Sequence, residues 1–265
     1  MNTFVLVREV YPVGFPVMSA VLGAITGSFL GVVAERVPPM VMDEEGCGNL
    51  LFPASHCPAC QHALSAWENI PLLSWLLLRG RCSRCRTAIP LRIFLIELFT
   101  ALFFGVTAWS VPGIQTLFSL WLLAAFLLPL ALIDGKHQLL PDCLTQPLLW
   151  AGLLIATLGN TLPLRDALYG AVAGYLSLWL VYWGFRLATG REGLGYGDFK
   201  LLAALGAWCG WQALPSIELI AALCGIVGYF ACHKANKNNQ TISFGPYLSL
   251  AGLAVFIAQA FAVTF

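Results

Sequence analysis

Long apolar runs broken by short polar connectors fill most of the chain. Five of them, at residues 17–34, 93–111, 114–133, 167–189 and 246–264, have the length of a bilayer-crossing helix and are bounded by charge, Gly or Pro. Crossing takes roughly 17 to 25 mostly apolar residues, because backbone groups left unpaired cannot face lipid. Three shorter runs lie at 143–159, 201–214 and 217–232, the last two readable as one broken hairpin. The pattern predicts an all-α polytopic membrane protein with about eight transmembrane helices, or seven on the narrower count. The first run is too long for the apolar core of a cleaved signal peptide and ends at Glu35 and Arg36 without a small-residue cleavage site. It is expected to stay in the mature protein.

One long polar interruption, 35–92, separates the first two spans. It divides the chain into an N-terminal segment with the first transmembrane helix (1–34), a soluble domain (35–92) and a membrane domain (93–265). Composition agrees with this reading: 59% of the 265 residues are hydrophobic and 10% charged, against about 25% charged in an ordinary soluble domain. The 13 acidic and 14 basic residues nearly cancel, so there is no bulk positive field to hold nucleic acid, and nucleic-acid binding is excluded. No internal repeat is evident. With the N-terminus outside, every basic residue except Arg8 and Arg165 falls on the inner side. The positive-inside rule then places the N-terminus outside and the 35–92 segment in the cytoplasm.

That segment has few apolar residues for a core, and a piece so small commonly needs a metal or disulfides. Cys57-Pro-Ala-Cys60 and Cys82-Ser-Arg-Cys85 supply four sulfurs as two CxxC knuckles. The spacing reads as a tetrathiolate zinc ribbon, so the soluble domain is expected to be small and zinc-ribbon-like, with Zn2+ on Cys57, Cys60, Cys82 and Cys85. Two disulfides are the competing reading, disfavoured by a reducing cytoplasm. Four thiolates leave no open coordination position, so the zinc is structural. His56 and His62 flank the first knuckle and read as bystanders. Cys143, Cys209, Cys224 and Cys232 sit in apolar runs and read as small hydrophobes, and Cys47 has no assigned role.

Ionisable residues near membrane depth are expensive and therefore informative. Asp134 and Asp142 lie in Asp134-Gly-Lys-His-Gln-Leu-Leu-Pro-Asp142, and Asp198 in Gly195-Tyr-Gly-Asp198-Phe-Lys200. Topology puts Asp134 and Asp198 at the same cytoplasmic face, where they can meet. Two carboxylates in a poorly solvated site hold one proton between them, so one acts as base and the other as acid, the equipment of an aspartic protease. Asp142, after Pro141 and ahead of a helix, reads as an N-cap. Lys136 and Lys200 either pair with these aspartates or meet lipid phosphate. Glu97 either snorkels to the interface or faces a polar cavity, and His137 reads as interfacial. No GK[ST] follows the glycines, and neither G-x-S-x-G nor H-E-x-x-H occurs, which removes P-loop, serine-hydrolase and zinc-hydrolase readings.

Over nearly its whole length the chain resembles the bacterial prepilin peptidases, GxGD-type membrane aspartic proteases. The resemblance rests on Gly27-Ser-Phe-Leu30 with Arg36 and Pro38, the two CxxC pairs around Asn69-Ile-Pro-Leu-Leu-Ser-Trp75, the Asp134 to Asp142 segment, Gly195 to Lys200, and Phe244-Gly-Pro246. It implies Asp134 and Asp198 as the catalytic pair, membrane-inserted type IV prepilins or type II secretion pseudopilins as substrates, and a bacterial inner-membrane enzyme cutting at the cytoplasmic face. It also implies a cytoplasmic domain that N-methylates the new terminus with S-adenosyl-L-methionine, Gly80 matching a glycine tied to methyl transfer. Gly31 and Ile93-Phe94 depart from the family pattern. The alternatives are an ion-coupled transporter with a carboxylate relay and a structural scaffold for a secretion apparatus.

Overall fold

The computed structural model describes residues 8, 10–42, 49–50, 52, 54–158, 162–191, 193–235 (backbone alone at 231–235) and 243–262. Cys47, Lys237 and the run ends expected at 159 and 264 lie outside them. The described helices are α1 Gly14–Val41, α2 Leu73–Leu77, α3 Leu91–Ser110, α4 Ile114–His137, α5 Asp142–Thr157, α6 Leu164–Thr189, α7 Tyr196–Cys209, α8 Leu214–Ala235 and α9 Gly245–Ala262. All eight expected apolar runs fall on helices. Six stretches are long and apolar enough to cross a membrane: α1, α3, α4, α6, α9 and Trp211–Phe230, which spans the start of α8. The 16-residue α5 and 14-residue α7 rise only about 24 and 21 Å at 1.5 Å per residue, short of a hydrocarbon core of about 30 Å.

The first helix is longer than its apolar run. α1 continues past Glu35 and Arg36 to Val41, carrying Pro38 and Pro39 in its last turn. The chain forms two compact units, residues 1–117 and 118–265.

In the first unit α1 packs along α3, and small residues on α1 allow the approach. Gly23 and Gly27, four apart, face Thr100: a methyl group on Gly23 would lie 2.8 Å from Phe104 Cβ, and one on Gly27 would overlap the Thr100 hydroxyl. Closely packed helices of this kind gain from dispersion, since lipid is as apolar as the side chains and supplies no hydrophobic drive. Thr100 Oγ1 meanwhile donates to the Ile96 and Glu97 carbonyls, 2.9 and 3.0 Å away. At the polar end Arg92 bonds Glu35 at 2.6 Å.

The second unit is built around α7. From Asp198 to Cys209 all but Lys200 are buried. A helix apolar all round belongs in a core rather than at a lipid surface. α5, α6 and α9 surround it. Gly170 of α6 and Gly206 of α7 are reciprocal, since a methyl group on either would overlap the other's carbonyl oxygen, and one on Gly174 would stand 2.6 Å from the Leu202 carbonyl oxygen. Trp208 Nε1 donates to the Leu148 carbonyl of α5 at 2.8 Å, so the buried indole is paired. α7 stops where Gly210 adopts φ +83°, a conformation only glycine holds cheaply, and a 3-10 turn, Trp211–Ala213, leads into α8. The run expected at 201–214 is therefore shorter than its hydropathy suggests, and the broken hairpin is the structure's solution.

Gly206→Val should destabilise the second unit, because the added carbons meet backbone rather than a yielding side chain. Overpacking of this kind costs about 1–3 kcal/mol or more. Thermal unfolding of the detergent-solubilised protein should show a clear downward shift, whereas Gly184→Val, where a methyl group meets nothing within 4 Å, should leave the transition nearly in place.

Candidate functional site

The two knuckles of the first unit repeat one geometry. Cys57 N–H donates to the His62 carbonyl at 2.9 Å, and Cys82 N–H to the Thr87 carbonyl at 2.9 Å. Gln61 and Arg86 take φ of +57° and +60° at equivalent places, and each knuckle closes with one antiparallel bridge, His56 to Ala63 and Arg81 to Ala88. This is a short internal repeat, contrary to the sequence expectation of none. It escapes notice because only Cys, Cys and Ala recur among its eight positions.

The four sulfurs converge. Cys57 and Cys85 lie 3.7 Å apart, Cys60 and Cys82 3.9 Å apart, and the ligand atoms of all four fall within 4.8 Å of one another. Zinc bonds of ~2.3 Å in a tetrahedron set sulfur-sulfur edges of ~3.8 Å, whereas a disulfide needs ~2.05 Å. The donor set fits a tetrahedral metal, and the disulfide alternative does not match. Backbone amides of Cys60 and Ala59 draw the Cys57 thiol below its ordinary value, and the Thr87 hydroxyl and amide draw Cys85 down to about 6. Both shifts favour the thiolate that a metal requires, whereas, against the His62 amide, burial and the neighbouring thiols hold Cys60 up at about 11.

Sequence reasoning missed the group that joins the knuckles. Glu68 is buried, its Oε2 accepting from Ser65 N at 2.8 Å and Ser65 Oγ at 2.5 Å, with Ser83 of the second knuckle a further donor. His62 Nε2, after the first knuckle, stands 3.6 Å away, which keeps that histidine a bystander to the sulfurs. The Ser65 and Ser83 hydroxyls hold the Glu68 carboxyl at about 2. Its folded value lies below its unfolded one, so its contribution is complete above the ordinary carboxylate range and is lost only as pH falls through about 2. The signal was present as Ser65-x-x-Glu68, a capping box around the 3-10 turn Ala66–Asn69.

Gly80 is buried with φ +65°, and a methyl group on it would press the Trp75 ring at 2.8 Å. The position therefore has a packing reason to be glycine. Trp75 in turn lies 4.6 Å from the Phe94 ring, and its buried Nε1 has no partner among the described residues. Glu97 neither snorkels nor opens to a cavity: it is buried and accepts the Leu72 N–H at 2.8 Å, supporting a non-glycine residue at φ +63°.

In the second unit Asp134 sits in the last turn of α4 and Asp198 in the first turn of α7, both buried. They are close enough that the charge of Asp134 bears on Asp198. Gly245 N–H donates to Asp134 Oδ2 at 2.9 Å, and a methyl group on Gly245 would stand 2.6 Å from that oxygen. Gly245 was visible as part of Phe244-Gly-Pro246, but its partner 111 residues away was not. Asp198 faces the Gly195 amide and borders a cleft of about 580 Å³, with Gly193 and Gly195 on its rim.

Asp142 is not an N-cap. Pro141 holds that place without a side-chain cap, and Asp142 is the first residue of α5. Its carboxylate instead takes both contacts from Lys200 Nζ, at 2.7 and 2.8 Å. Lys200 follows Asp198 by two, and such positions point to opposite sides of a helix.

Glu68→Gln should weaken metal retention roughly 10-fold, the usual scale for groups that orient a ligand set. Competition against a chromophoric chelator measures it, and unchanged affinity would remove Glu68 from that role.

Two family models match. The one described as Bacterial Peptidase A24 N-terminal domain covers residues 21–111, and that of the Type IV leader peptidase family covers 121–230. Relatives named prepilin leader peptidase/N-methyltransferase include one from Aeromonas salmonicida, 50% identical over 248 residues (85% of this chain, 84% of the relative). One from Stutzerimonas stutzeri is 47% identical over 259 residues (91% and 90%). One from Neisseria gonorrhoeae is 43% identical over 259 residues (91% and 90%). No solved structure matches the chain.

Proposed function

The chain belongs to the type IV leader peptidase family, and from that membership we propose that Asp134 and Asp198 are the catalytic pair of a membrane aspartic endopeptidase. It processes prepilins, removing the leader and methylating the residue so exposed, the two activities in its relatives' names. Type II secretion pseudopilins are the second substrate class that the resemblance implies. The observation that carries the reading is two buried carboxylates, on separate helices, within electrostatic reach of one another. Both stand at helix ends rather than mid-span, which suits a peptide cut at the membrane face, and nothing supports the transporter alternative.

The pair carries one proton. The ionised carboxylate takes a proton from a water held between the two, and the water oxygen bonds to the peptide carbonyl carbon while the other carboxyl gives its proton to the carbonyl oxygen. Collapse of the tetrahedral adduct breaks the C–N bond, a proton passes to the leaving nitrogen, and the pair again holds one proton. Gly245 N–H fixes the aim of Asp134.

The protein is a multi-pass inner-membrane protein, and the distribution of Lys and Arg supports a periplasmic N-terminus with the cut at the cytoplasmic face. Cys57, Cys60, Cys82 and Cys85 would hold a structural Zn2+, whose contribution is to the folding of the 35–92 domain. S-adenosyl-L-methionine supplies an electrophilic methyl group, and Trp75 Nε1 beside Gly80, without a partner among the described residues, is a feature of that domain which fits a bound polar group.

Asp134→Asn and Asp198→Asn should each abolish leader cleavage while the protein still inserts, read by mass spectrometry of a prepilin substrate. Substantial cleavage by either would sink the pair. Asp142→Asn, which breaks a partly exposed ion pair, should cost under about 1 kcal/mol and leave cleavage intact.

Elemental analysis of freshly purified reduced protein should give one zinc per chain, and chelation should loosen the 35–92 domain. Gly80→Ser should yield cut but unmethylated product with zinc retained. Normal methylation in that variant would take Gly80 out of the site.

A further inference from the structure

α9 sets Gly245, Ser249 and Gly252 in one row, at the i, i+4, i+7 spacing that keeps side chains on a single helix face. Gly245 faces α4, its N–H donating to Asp134 Oδ2 at 2.9 Å. Gly252 faces α7, since a methyl group on it would overlap Leu205. Small residues in such a row are ordinary helix packing. A hydroxyl among them is not, and Ser249, between the two glycines, is only 3% exposed. Its Oγ is buried with no hydrogen-bond partner among the described residues. Hydroxyls on other helices donate to the carbonyl one turn back, as Ser19 does to Phe15 at 2.9 Å, Thr26 to Leu22 at 2.9 Å and Ser110 to Val106 at 2.8 Å. Ser249 makes no such bond to Gly245. A buried hydroxyl left unpaired costs stability, and alanine would fill the same helix position more cheaply.

The lean of the side chain decides what the hydroxyl can reach. Cα–Cβ bonds in a helix tilt toward its N-terminus, and residues four apart stand ~5–6 Å from one another at Cβ. Ser249 therefore leans over Gly245, where the Asp134 carboxyl occupies the place a Gly245 methyl group would take. A gap of that size is too long for one hydrogen bond and suits two with a water between them. Asp134 has Oδ2 on the Gly245 N–H and, among the described residues, no bond to Oδ1.

We propose that Ser249 is a positioning residue of the acid-base pair, its hydroxyl donating to a held water that donates in turn to Asp134 Oδ1. The role rests on the reading of Asp134 and Asp198 as the catalytic pair. One bond from Gly245 leaves the terminal torsion of an aspartate broad. A second tie, to the other oxygen, fixes the plane of the carboxyl and so the direction in which it takes or gives its proton. The bridging water is held and not consumed, since cleavage forms and breaks no bond to it.

Ser249→Ala should lower kcat for prepilin cleavage on the order of 10-fold, a fraction of what acid-base catalysis supplies as a whole, with KM held and the thermal midpoint level or raised. Ser249→Thr, which returns a hydroxyl, should recover most of the loss. Infrared difference spectra between the unmutated protein and Asp134→Asn isolate the Asp134 carboxyl band, and the same difference taken with Ser249→Ala present should show that band displaced. An unchanged kcat, a midpoint that falls together with kcat, or a band left in place would overturn the role. If the unmutated protein cuts no prepilin, the peptidase reading fails by itself, and the band still decides whether Ser249 reaches Asp134.

Discussion

Hydrocarbon offers no hydrogen bonds, so each polar group carried to membrane depth must be paired by the protein or kept for chemistry. That constraint explains the architecture of the second unit. α7 carries in its first turn Asp198, a carboxylate that lipid would not tolerate, and the chain answers by burying almost the whole helix among α5, α6 and α9. Burial requires close approach, and the glycines at 170, 174 and 206 supply it. Trp208 reaches Leu148 for the same reason, since an indole N–H in a sealed core needs an acceptor. Both the shortness of α7 and its apolar circumference follow from its place inside a bundle rather than across a bilayer.

The first unit meets a different constraint with different means. The soluble segment has too little apolar surface to close a core, and the polar network takes over its organisation. Glu68 draws Ser65, Ser83 and His62 together, so hydrogen bonds help to gather the four sulfurs. Gly80 and Trp75 form the apolar contact beside them. A left-handed glycine packed under an aromatic ring is a structural commitment, and any role of that glycine in methyl transfer operates through the shape it gives the loop.

Much of this was legible before any coordinates. Apolar runs locate the eight long helices because membrane burial writes a continuous signal, and CxxC spacing locates the four sulfurs that converge because a tetrahedral donor set demands such spacing. What escaped depends on partners remote in sequence. Ser65-x-x-Glu68 marks a capping box but not the reach of Glu68 to Ser83 in the second knuckle, and the pairing of Gly170 with Gly206 spans helices that local pattern treats separately. Asp142 was misjudged on local grounds: a carboxylate after proline and before a helix satisfies the cap pattern, yet Lys200, 58 residues on, claims it.

That ion pair lies close to the acid-base pair proposed above. A cation beside Asp134 and Asp198 would stabilise both carboxylates in the ionised form, and an aspartic peptidase with no retained proton has a base but no acid. Lys200 stands only two residues from Asp198, near enough for such damage. Helical geometry turns its side chain away, and Asp142 holds both of its close contacts. The pair adds little stability, being partly exposed. The direction in which α7 turns Lys200 is what keeps its charge off the two aspartates, and breaking the ion pair leaves that direction in place.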